Sequence, residues 1–380
     1  MSEPAGSRVS TLELFFDLVF VFTITQLTSV LHADPSAGGL LRVVLMLGVI
    51  WWMYGGYAWL TNAVAPDSTT RRLLLLGGMS AFLVLALTIP RAFTDGGQAF
   101  GLAYLAVVAV HSFMFSRSTG GGGGRAILRI APYNAVAALL LVLGGAIGGR
   151  VQYVLWTLAL VVAVVPARLN AARGFAIEPA HFVERHGLVV LIAIGESVVA
   201  VGAGANGSPI DASLAAVAVL GLLLSACLWW TYLGGDDGRA EKALGAADSS
   251  RRPMLALDGY GYAHFLLLLG VVLTASTLRD VVRHAGTTLS EPRALALGGG
   301  VTVFLLGDAY FRRVLAIGPR GWRLAAAVPA LATVMLGVVV SAVAQLTALI
   351  AVLVAAFTLE YAAACRAPGD DRQAATGSDD

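Results

Sequence analysis

The sequence predicts an all-α integral membrane protein with about twelve transmembrane helices, arranged as two parallel six-helix repeats. Two features of its composition indicate this: 58% of the 380 residues are hydrophobic and only 13% are charged. A typical globular chain has about 25% charged residues, so this one has too little charge to cover a water-exposed surface. The third observation is that apolar runs long enough to cross a bilayer recur along the whole chain.

Charge and cysteine content exclude several classes of function. The formal net charge is only +2, so the chain lacks the basic surface that nucleic-acid-binding proteins need. Its two cysteines, Cys227 and Cys365, lie far apart, which excludes a disulfide framework and a cysteine-rich zinc site. We therefore expect no nucleic-acid partner, no bound metal and no cofactor, and we expect the lipid bilayer as the main partner.

A transmembrane helix needs about 20 mostly apolar residues to cross about 30 Å of hydrocarbon. The chain contains twelve such runs, near Thr11–Leu31, Gly39–Leu60, Leu73–Pro90, Gln98–Phe115, Ala126–Gly148, Val151–Ala167, Ala180–Gly204, Ala212–Leu233, Met254–Thr277, Ala294–Val314, Leu324–Val339 and Ala342–Ala364. The first run carries Glu13 and Asp17, which argues against a cleaved signal peptide. The last two runs are so close that we expect a helical hairpin with almost no loop.

The distribution of basic residues predicts the orientation. Of the 25 Lys and Arg residues, 19 fall on the side that holds both termini and 6 on the other side. Cytoplasmic loops of membrane proteins collect Lys and Arg. We therefore expect a multi-pass protein of the bacterial cytoplasmic (plasma) membrane with both termini in the cytoplasm.

Four landmarks recur in the same order in the two halves of the chain, which indicates an internal duplication. The pairs are Glu13 with Glu184, Trp51–Tyr54 with Trp229–Tyr232, Leu73–Gly77 with Leu266–Gly270, and Phe115–Arg117 with Phe311–Arg313. An even number of spans per repeat gives both halves the same orientation. The predicted organisation is a cytoplasmic tail at 1–10, repeats at 11–170 and 171–365, and a disordered cytoplasmic tail at 366–380.

Between the spans, the glycine-rich stretch at 118–124 is typical of a flexible linker, and 234–253 is the longest charged loop by sequence. Aromatic residues cluster at the ends of the second and eighth runs, around Trp51–Trp59 and Trp229–Tyr232. Such clusters are typical of the belt that aromatic side chains form at the membrane interface. Neither connecting segment is large enough to fold as a soluble domain.

The first run contains acidic residues that lipid does not tolerate alone. Glu13, Asp17 and Thr25 fall within about 120° of arc on a helix, so one face is wet or partnered. Glu13 is expected either as a capping or solvated charge at the interface or as part of a functional path. Asp17 lies one turn deeper and needs a partner or water, in a functional or a purely structural role.

The seventh run repeats this pattern. His181, Glu184, Arg185 and Glu196 project within about 120° of one another. Glu196 lies about 18 Å further along the axis than Glu184, near the bilayer centre. An acidic side chain there costs about 2.5–3.5 kcal/mol on insertion scales unless it is protonated, paired or facing a cavity. It is either a hydrogen-bonded contact between helices or a group that takes part in ion or proton passage.

Histidines in other runs are further candidates. His264 lies about ten residues inside the ninth run, and His111 and Asp308 lie near the ends of the fourth and tenth runs. Histidine can carry protons near neutral pH, but a lone one is more often a hydrogen-bonded core residue. Because the second histidine of His181–His186 stands five positions from the first, the segment is not a HExxH zinc motif.

Long motifs in the first and seventh runs resemble the bacterial low temperature requirement A protein family. The matching segments are Thr11–Thr28, His181–Gly202 and the leucine run that follows Tyr262 and His264. The resemblance extends over about Val9 to Cys365. It implies a polytopic membrane protein of a family named for growth in the cold, and it names no substrate.

The leading hypothesis is a transporter or channel-like protein that moves a cation, a proton or a small solute. The first and seventh helices would line its central region, with Asp17 and Glu196 handling the ion. The alternative is a non-transporting membrane protein with a structural or sensory role in cold or envelope adaptation. No Ser-His-Asp order, zinc motif or phosphate loop occurs, so we do not expect an enzyme.

Overall fold

The computed structural model describes residues 8–63, 68–116, 123–170, 177–207, 209 and 211–366. Throughout these ranges every regular element is a helix, which confirms the predicted all-α class. Both predicted terminal tails and most of the predicted linker at 118–124 lie outside the described residues.

The α-helices are α1 Thr11–Ala33, α2 Ala37–Ala63, α3 Thr69–Thr88, α4 Gly97–Ser116, α5 Gly123–Ile147, α6 Gly149–Asn170, α7 Pro179–Ala205, α8 Ala212–Leu233, α9 Asp236–Ala246, α10 Arg252–Ala256, α11 His264–Arg283, α12 Glu291–Leu315, α13 Gly321–Ala332, α14 Val334–Val339 and α15 Ala342–Arg366. A short 3₁₀ turn, Ile89–Arg91, follows α3, and a π-helical segment, Leu257–Ala263, joins α10 to α11.

In the described part of the chain, twelve helical stretches are long and apolar enough to cross a membrane, as predicted. The ninth, Arg252–Arg283, includes α10, the π-helical segment and α11, and the eleventh, Gly321–Val339, includes α13 and α14. Only two residues separate α14 from α15, which confirms the predicted tight hairpin. These spans make the chain an integral membrane protein.

The prediction of a charged loop at 234–253 is wrong for most of its length, because α9 occupies Asp236–Ala246. Two acidic residues, Asp236 and Asp237, begin this helix, where negative charge is favoured by the unpaired N–H groups of the first turn. Alanine, lysine and glutamate, all strong helix formers, follow them. High charge had suggested a loop, whereas local helix propensity determines the structure.

The chain forms two compact units, each made of segments that are not adjacent in sequence. Unit 1 comprises residues 1–30, 37–189 and 244–261, and unit 2 comprises 31–36, 190–243 and 262–380. Each is described separately below.

Unit 1 packs its helices through small residues and an aromatic core. Gly97 and Gly101 of α4 lie against the backbone of α5 at Gly145 and Val142, where a side chain would collide with main-chain atoms. Small residues four apart allow such close approach of membrane helices. Around the N-terminal part of α1, Phe16 and Phe20 pack against aromatic rings of α2 and α3.

Unit 2 has an aliphatic core built from α8, α11, α12, α13 and α15. Fully buried leucines such as Leu278, Leu297 and Leu346 fill this core. At the crossing of α11 and α12, Gly270 lies against the backbone of Gly300, so neither position has room for a side chain. This packing fixes the helix ends that carry the charged residues of unit 2.

Candidate functional site

Four of the predicted site residues come together in unit 1. Glu13 and Asp17 of α1 and His181 and Arg185 of α7 form one buried group, called here the unit 1 charge cluster. Each of these four side chains is at most 7% exposed. The spacing of four residues on each helix places each pair on one face, one turn apart.

Glu13 is held by several hydrogen-bond donors. Its Oε2 accepts from the backbone N–H of Ser10 at 3.0 Å and from the Ser10 hydroxyl at 2.8 Å. The Ser10 hydroxyl in turn accepts from the N–H of Glu13 at 3.4 Å, which completes a capping box at the start of α1. The expectation of a capping role is thus confirmed, whereas that of a solvated charge is wrong, because packing against α7 buries this helix end.

Arg185 joins both carboxylates of the cluster. Its Nη1 lies 3.0 Å from Oε1 of Glu13 and also donates to the hydroxyl of Thr61, and its Nη2 lies 3.4 Å from Oδ1 of Asp17. The guanidinium carbon lies 5.5 Å from the ring centre of Phe16 and 5.7 Å from that of Tyr54. A guanidinium stabilised by aromatic faces and by two carboxylates remains charged when buried.

Asp17 has fewer donors than Glu13. Its Oδ1 accepts from the hydroxyl of Tyr54 at 2.9 Å and makes the long contact to Arg185. Its Oδ2 is buried and has no hydrogen-bond partner among the described residues. Because a buried oxygen without a partner is unfavourable, this atom is the point of the cluster that can take up a ligand.

His181 lies between Glu13 and Asn62, the last polar residue of α2. Its Nε2 is 3.1 Å from Oε1 of Glu13, and its Nδ1 is 3.2 Å from the amide nitrogen of Asn62. The amide group of Asn62 also pairs with the backbone of Glu178, accepting from its N–H at 2.9 Å and donating to its carbonyl at 3.0 Å. This pairing ties the end of α2 to the start of α7.

The other predicted site residues lie outside this cluster. Glu184 is exposed and accepts from the backbone N–H of Val9 at 3.0 Å. Thr25 is partly buried, and its hydroxyl lies 3.5 Å from the carbonyl of Val21. Glu196 and His264 belong to unit 2: Glu196 is 6% exposed, and Nε2 of His264 lies 2.7 Å from the hydroxyl of Tyr232.

Three residues of the unit 1 site were missed from the sequence: Tyr54, Thr61 and Asn62. Trp51, Tyr54 and Tyr57 had been assigned to an interfacial belt, but all three are buried in unit 1. That interpretation is wrong for them because their face of α2 packs against α1. Trp229 and Trp230, which are exposed at 37% and 58%, remain compatible with a belt.

Unit 2 contains a second buried group of charges, the unit 2 ion network of Asp236, Asp308, Arg312, Arg323 and Glu360. Nε of Arg312 lies 2.6 Å from Oδ2 of Asp236, and its Nη1 lies 2.6 Å from Oε1 of Glu360. Arg323 pairs with Asp308 at 2.8 Å and also with Glu360. The network connects α9, α12, α13 and α15, and it resembles a structural clamp more than a binding site.

Sequence reasoning had placed Arg312, Arg323 and Asp236 in loops, because they stand next to the ends of apolar runs. The structure buries all three, with exposures of 3%, 3% and 1%. Their spacing gives no signal of this, since the partners come from four different helices. The signal that was available is the run Phe311–Arg313, which continues α12 after Asp308 without a helix-breaking residue.

Comparison with known proteins identifies relatives of the whole membrane portion. The family model of the bacterial low temperature requirement A protein (LtrA) matches residues 8–358, which include the unit 1 charge cluster. An uncharacterized protein of Rhizobium meliloti (strain 1021) is 28% identical over 320 residues, covering 81% of this chain and 78% of the relative. No solved structure matches the chain.

Proposed function

This chain belongs to the bacterial low temperature requirement A protein family, and we propose that it is a non-enzymatic transporter or channel-like protein. It would move a cation, a proton or a small solute across the membrane. The observation that carries this proposal is Oδ2 of Asp17, a buried carboxylate oxygen inside a transmembrane helix that lacks a hydrogen-bond partner among the described residues. Ionisable residues within membrane spans are costly and often mark ion or proton paths.

Charge counting within the unit 1 charge cluster supports the proposal. Two carboxylates, Glu13 and Asp17, share a single guanidinium, that of Arg185. A buried site with more negative than positive charge attracts a positively charged ligand, because each uncompensated buried charge costs several kcal/mol. Glu196, a second buried carboxylate in the same helix as Arg185, remains a candidate for the path.

The proposal includes the location and the architecture predicted from the sequence. The protein would lie in the bacterial plasma membrane with both termini in the cytoplasm, as the excess of Lys and Arg on that side favours. Arg185, Arg312 and Arg323 are buried in ion pairs and so do not count as loop charges, but the excess persists without them. Two parallel six-helix repeats remain part of the proposal.

A second candidate is the structural or sensory role. One observation favours it: Arg185 alone connects three helices, since it contacts Glu13 of α1, Thr61 of α2 and lies itself on α7. A connection of this kind stabilises packing whether or not an ion moves. In this case the cluster would determine only the stability of unit 1.

A liposome experiment separates the two candidates. The purified full chain is reconstituted, and fluxes of protons, K⁺, Na⁺ and a panel of small solutes are measured for the wild type, Asp17→Asn and Glu196→Gln. Asp95→Asn is the control, because Asp95 is exposed and pairs only with Arg91 at the surface. Transport predicts a wild-type flux that Asp17→Asn reduces at least tenfold and Asp95→Asn preserves. Absence of any wild-type flux, together with a loss of thermal stability in Asp17→Asn, would support the structural role.

A further inference from the structure

Asn62 determines the protonation of His181. The N–H of Glu178 donates to Oδ1 of Asn62, which fixes the orientation of the amide so that its nitrogen faces His181. An amide nitrogen can only donate, so Nδ1 of His181 must accept. The single ring proton is therefore on Nε2, which faces Glu13, and His181 is neutral in this arrangement.

A neutral His181 leaves the unit 1 charge cluster with one surplus negative charge. The titratable and charged groups that face Asp17 within unit 1 are Glu13 on its own helix, Tyr54 on α2 and Arg185 on α7. All hydrogen-bonding contacts of Glu13 are with donors, as an ionised carboxylate requires. Asp17 has a weak contact to Arg185 and one oxygen without a partner, so the surplus charge is located on Asp17.

The surroundings of Asp17 favour a proton over a metal ion as the neutralising ligand. Protein sites for hard cations supply several oxygen ligands around the ion. Here the Arg185 guanidinium, itself a cation, contacts the same carboxylate, and the neighbouring side chains Phe16 and Phe20 are aromatic hydrocarbons. Within the described chain, no three His, Cys, Asp or Glu residues are grouped in a way that could hold a metal.

We propose that Asp17 is a reversible proton-binding site, and that His181 is a fixed hydrogen-bond donor to Glu13 and does not itself carry the proton. On binding, an O–H bond forms between a proton from water and Oδ2 of Asp17, and the carboxylate changes from an anion to a neutral acid. The inference deepens the proposed function, on which its consequence rests: the transported or coupling ion would be the proton.

The test detects the proton directly and does not use flux. Infrared difference spectra of the purified full chain in detergent are recorded while the pH is lowered, for the wild type, Asp17→Asn, Glu13→Gln and Asp95→Asn. We expect the carbonyl stretching band of a protonated carboxylic acid in the wild type and Asp95→Asn, and its loss in Asp17→Asn. In Glu13→Gln the surplus charge is gone, so we expect the proton to bind less tightly and the band to need more acid.

Two additions keep the outcome interpretable. Carbon-13 aspartate labelling of the wild type shifts an aspartic acid band and leaves a glutamic acid band in place, so the result does not depend on the folding of Asp17→Asn. Replacing choline chloride by KCl or NaCl at constant ionic strength tests for a metal ion. A band that disappears as K⁺ or Na⁺ is added, or the absence of any Asp17-dependent band, overturns the inference.

This experiment and the liposome experiment can fail independently. A titrating Asp17 band without proton flux would keep the proton site and exclude transport. Proton flux without the band would keep transport and overturn Asp17 as the proton-binding site.

Discussion

The hydroxyl of Tyr54 donates a hydrogen bond to Oδ1 of Asp17 over 2.9 Å, and both side chains are fully buried. The bond joins α2 to α1 inside unit 1 and directs the second oxygen of Asp17 away from the phenol. The Tyr54 ring also stacks on Trp51 with centroids 5.0 Å apart, which holds the hydroxyl in place. The orientation of Asp17 therefore depends on a residue 37 positions away in the sequence.

The first prediction concerns this bond. Tyr54→Phe removes the donor and leaves a second oxygen of Asp17 poorly satisfied, which costs about 1–3 kcal/mol of stability because the lost partner is buried. The melting temperature in detergent should fall, and the Asp17 infrared band should change. Tyr57→Phe is the matched control, because Tyr57 OH donates to the carbonyl of Val107 and not to Asp17. An Asp17 band that responds equally to both substitutions would contradict the prediction.

The second prediction concerns the ion pair of Arg185. Arg185→Met leaves two buried carboxylates without their cation, and breaking a buried ion pair typically costs about 3–5 kcal/mol. The measurement is the free energy of unfolding of the full chain in detergent. Adding Glu13→Gln to Arg185→Met removes one uncompensated charge, so the double variant should be more stable than Arg185→Met alone.

A double-mutant cycle with Glu13→Gln gives the coupling between the two residues. Residues in one ion-pair network typically couple by about 0.5–3 kcal/mol. Additive effects would mean that Arg185 and Glu13 act on stability independently, contrary to their 3.0 Å contact.

Most of the fold could be predicted from the sequence, because each membrane span is specified locally. About 20 apolar residues are needed wherever a helix crosses lipid, so composition within a short window locates the span. The errors concern elements where that rule does not apply, such as α9, whose charged residues lie in a helix. The internal duplication stays a prediction.

The candidate site was predictable only in part. Glu13, Asp17, His181 and Arg185 stand out because charged or titratable residues are rare in apolar runs. Tyr54, Thr61 and Asn62 do not stand out, since aromatic and hydroxyl residues are common near the ends of membrane helices. Asn62 and His181 are 119 positions apart, and their contact depends on the tertiary packing of α2 against α7.

The third prediction separates the two nitrogens of His181. The amide nitrogen of glutamine reaches the position of Nε2 and can still donate to Glu13, whereas the shorter asparagine cannot. If His181 is only a donor through Nε2, then His181→Gln should retain most of the stability and of any wild-type proton flux, and His181→Asn should lose both. Equal loss in the two variants would indicate that the imidazole itself carries a proton.

The fourth prediction tests whether the unit 2 ion network is structural. Arg312→Gln leaves Asp236 and Glu360 each with one fewer cation, so we expect the unfolding free energy to fall by about 3–5 kcal/mol. The neighbouring Arg313 is exposed and provides a matched control, since Arg313→Gln should change stability by no more than about 0.5 kcal/mol.

The network should matter for stability and not for ion binding, because its acidic residues are paired with two arginines. Arg312→Gln should therefore lower the melting temperature while the Asp17 infrared band persists in the fraction that remains folded. A variant with unchanged stability and a lost or altered Asp17 band would instead couple the unit 2 ion network to the proton site. In that case the clamp interpretation of Asp236, Arg312 and Glu360 would have to be abandoned.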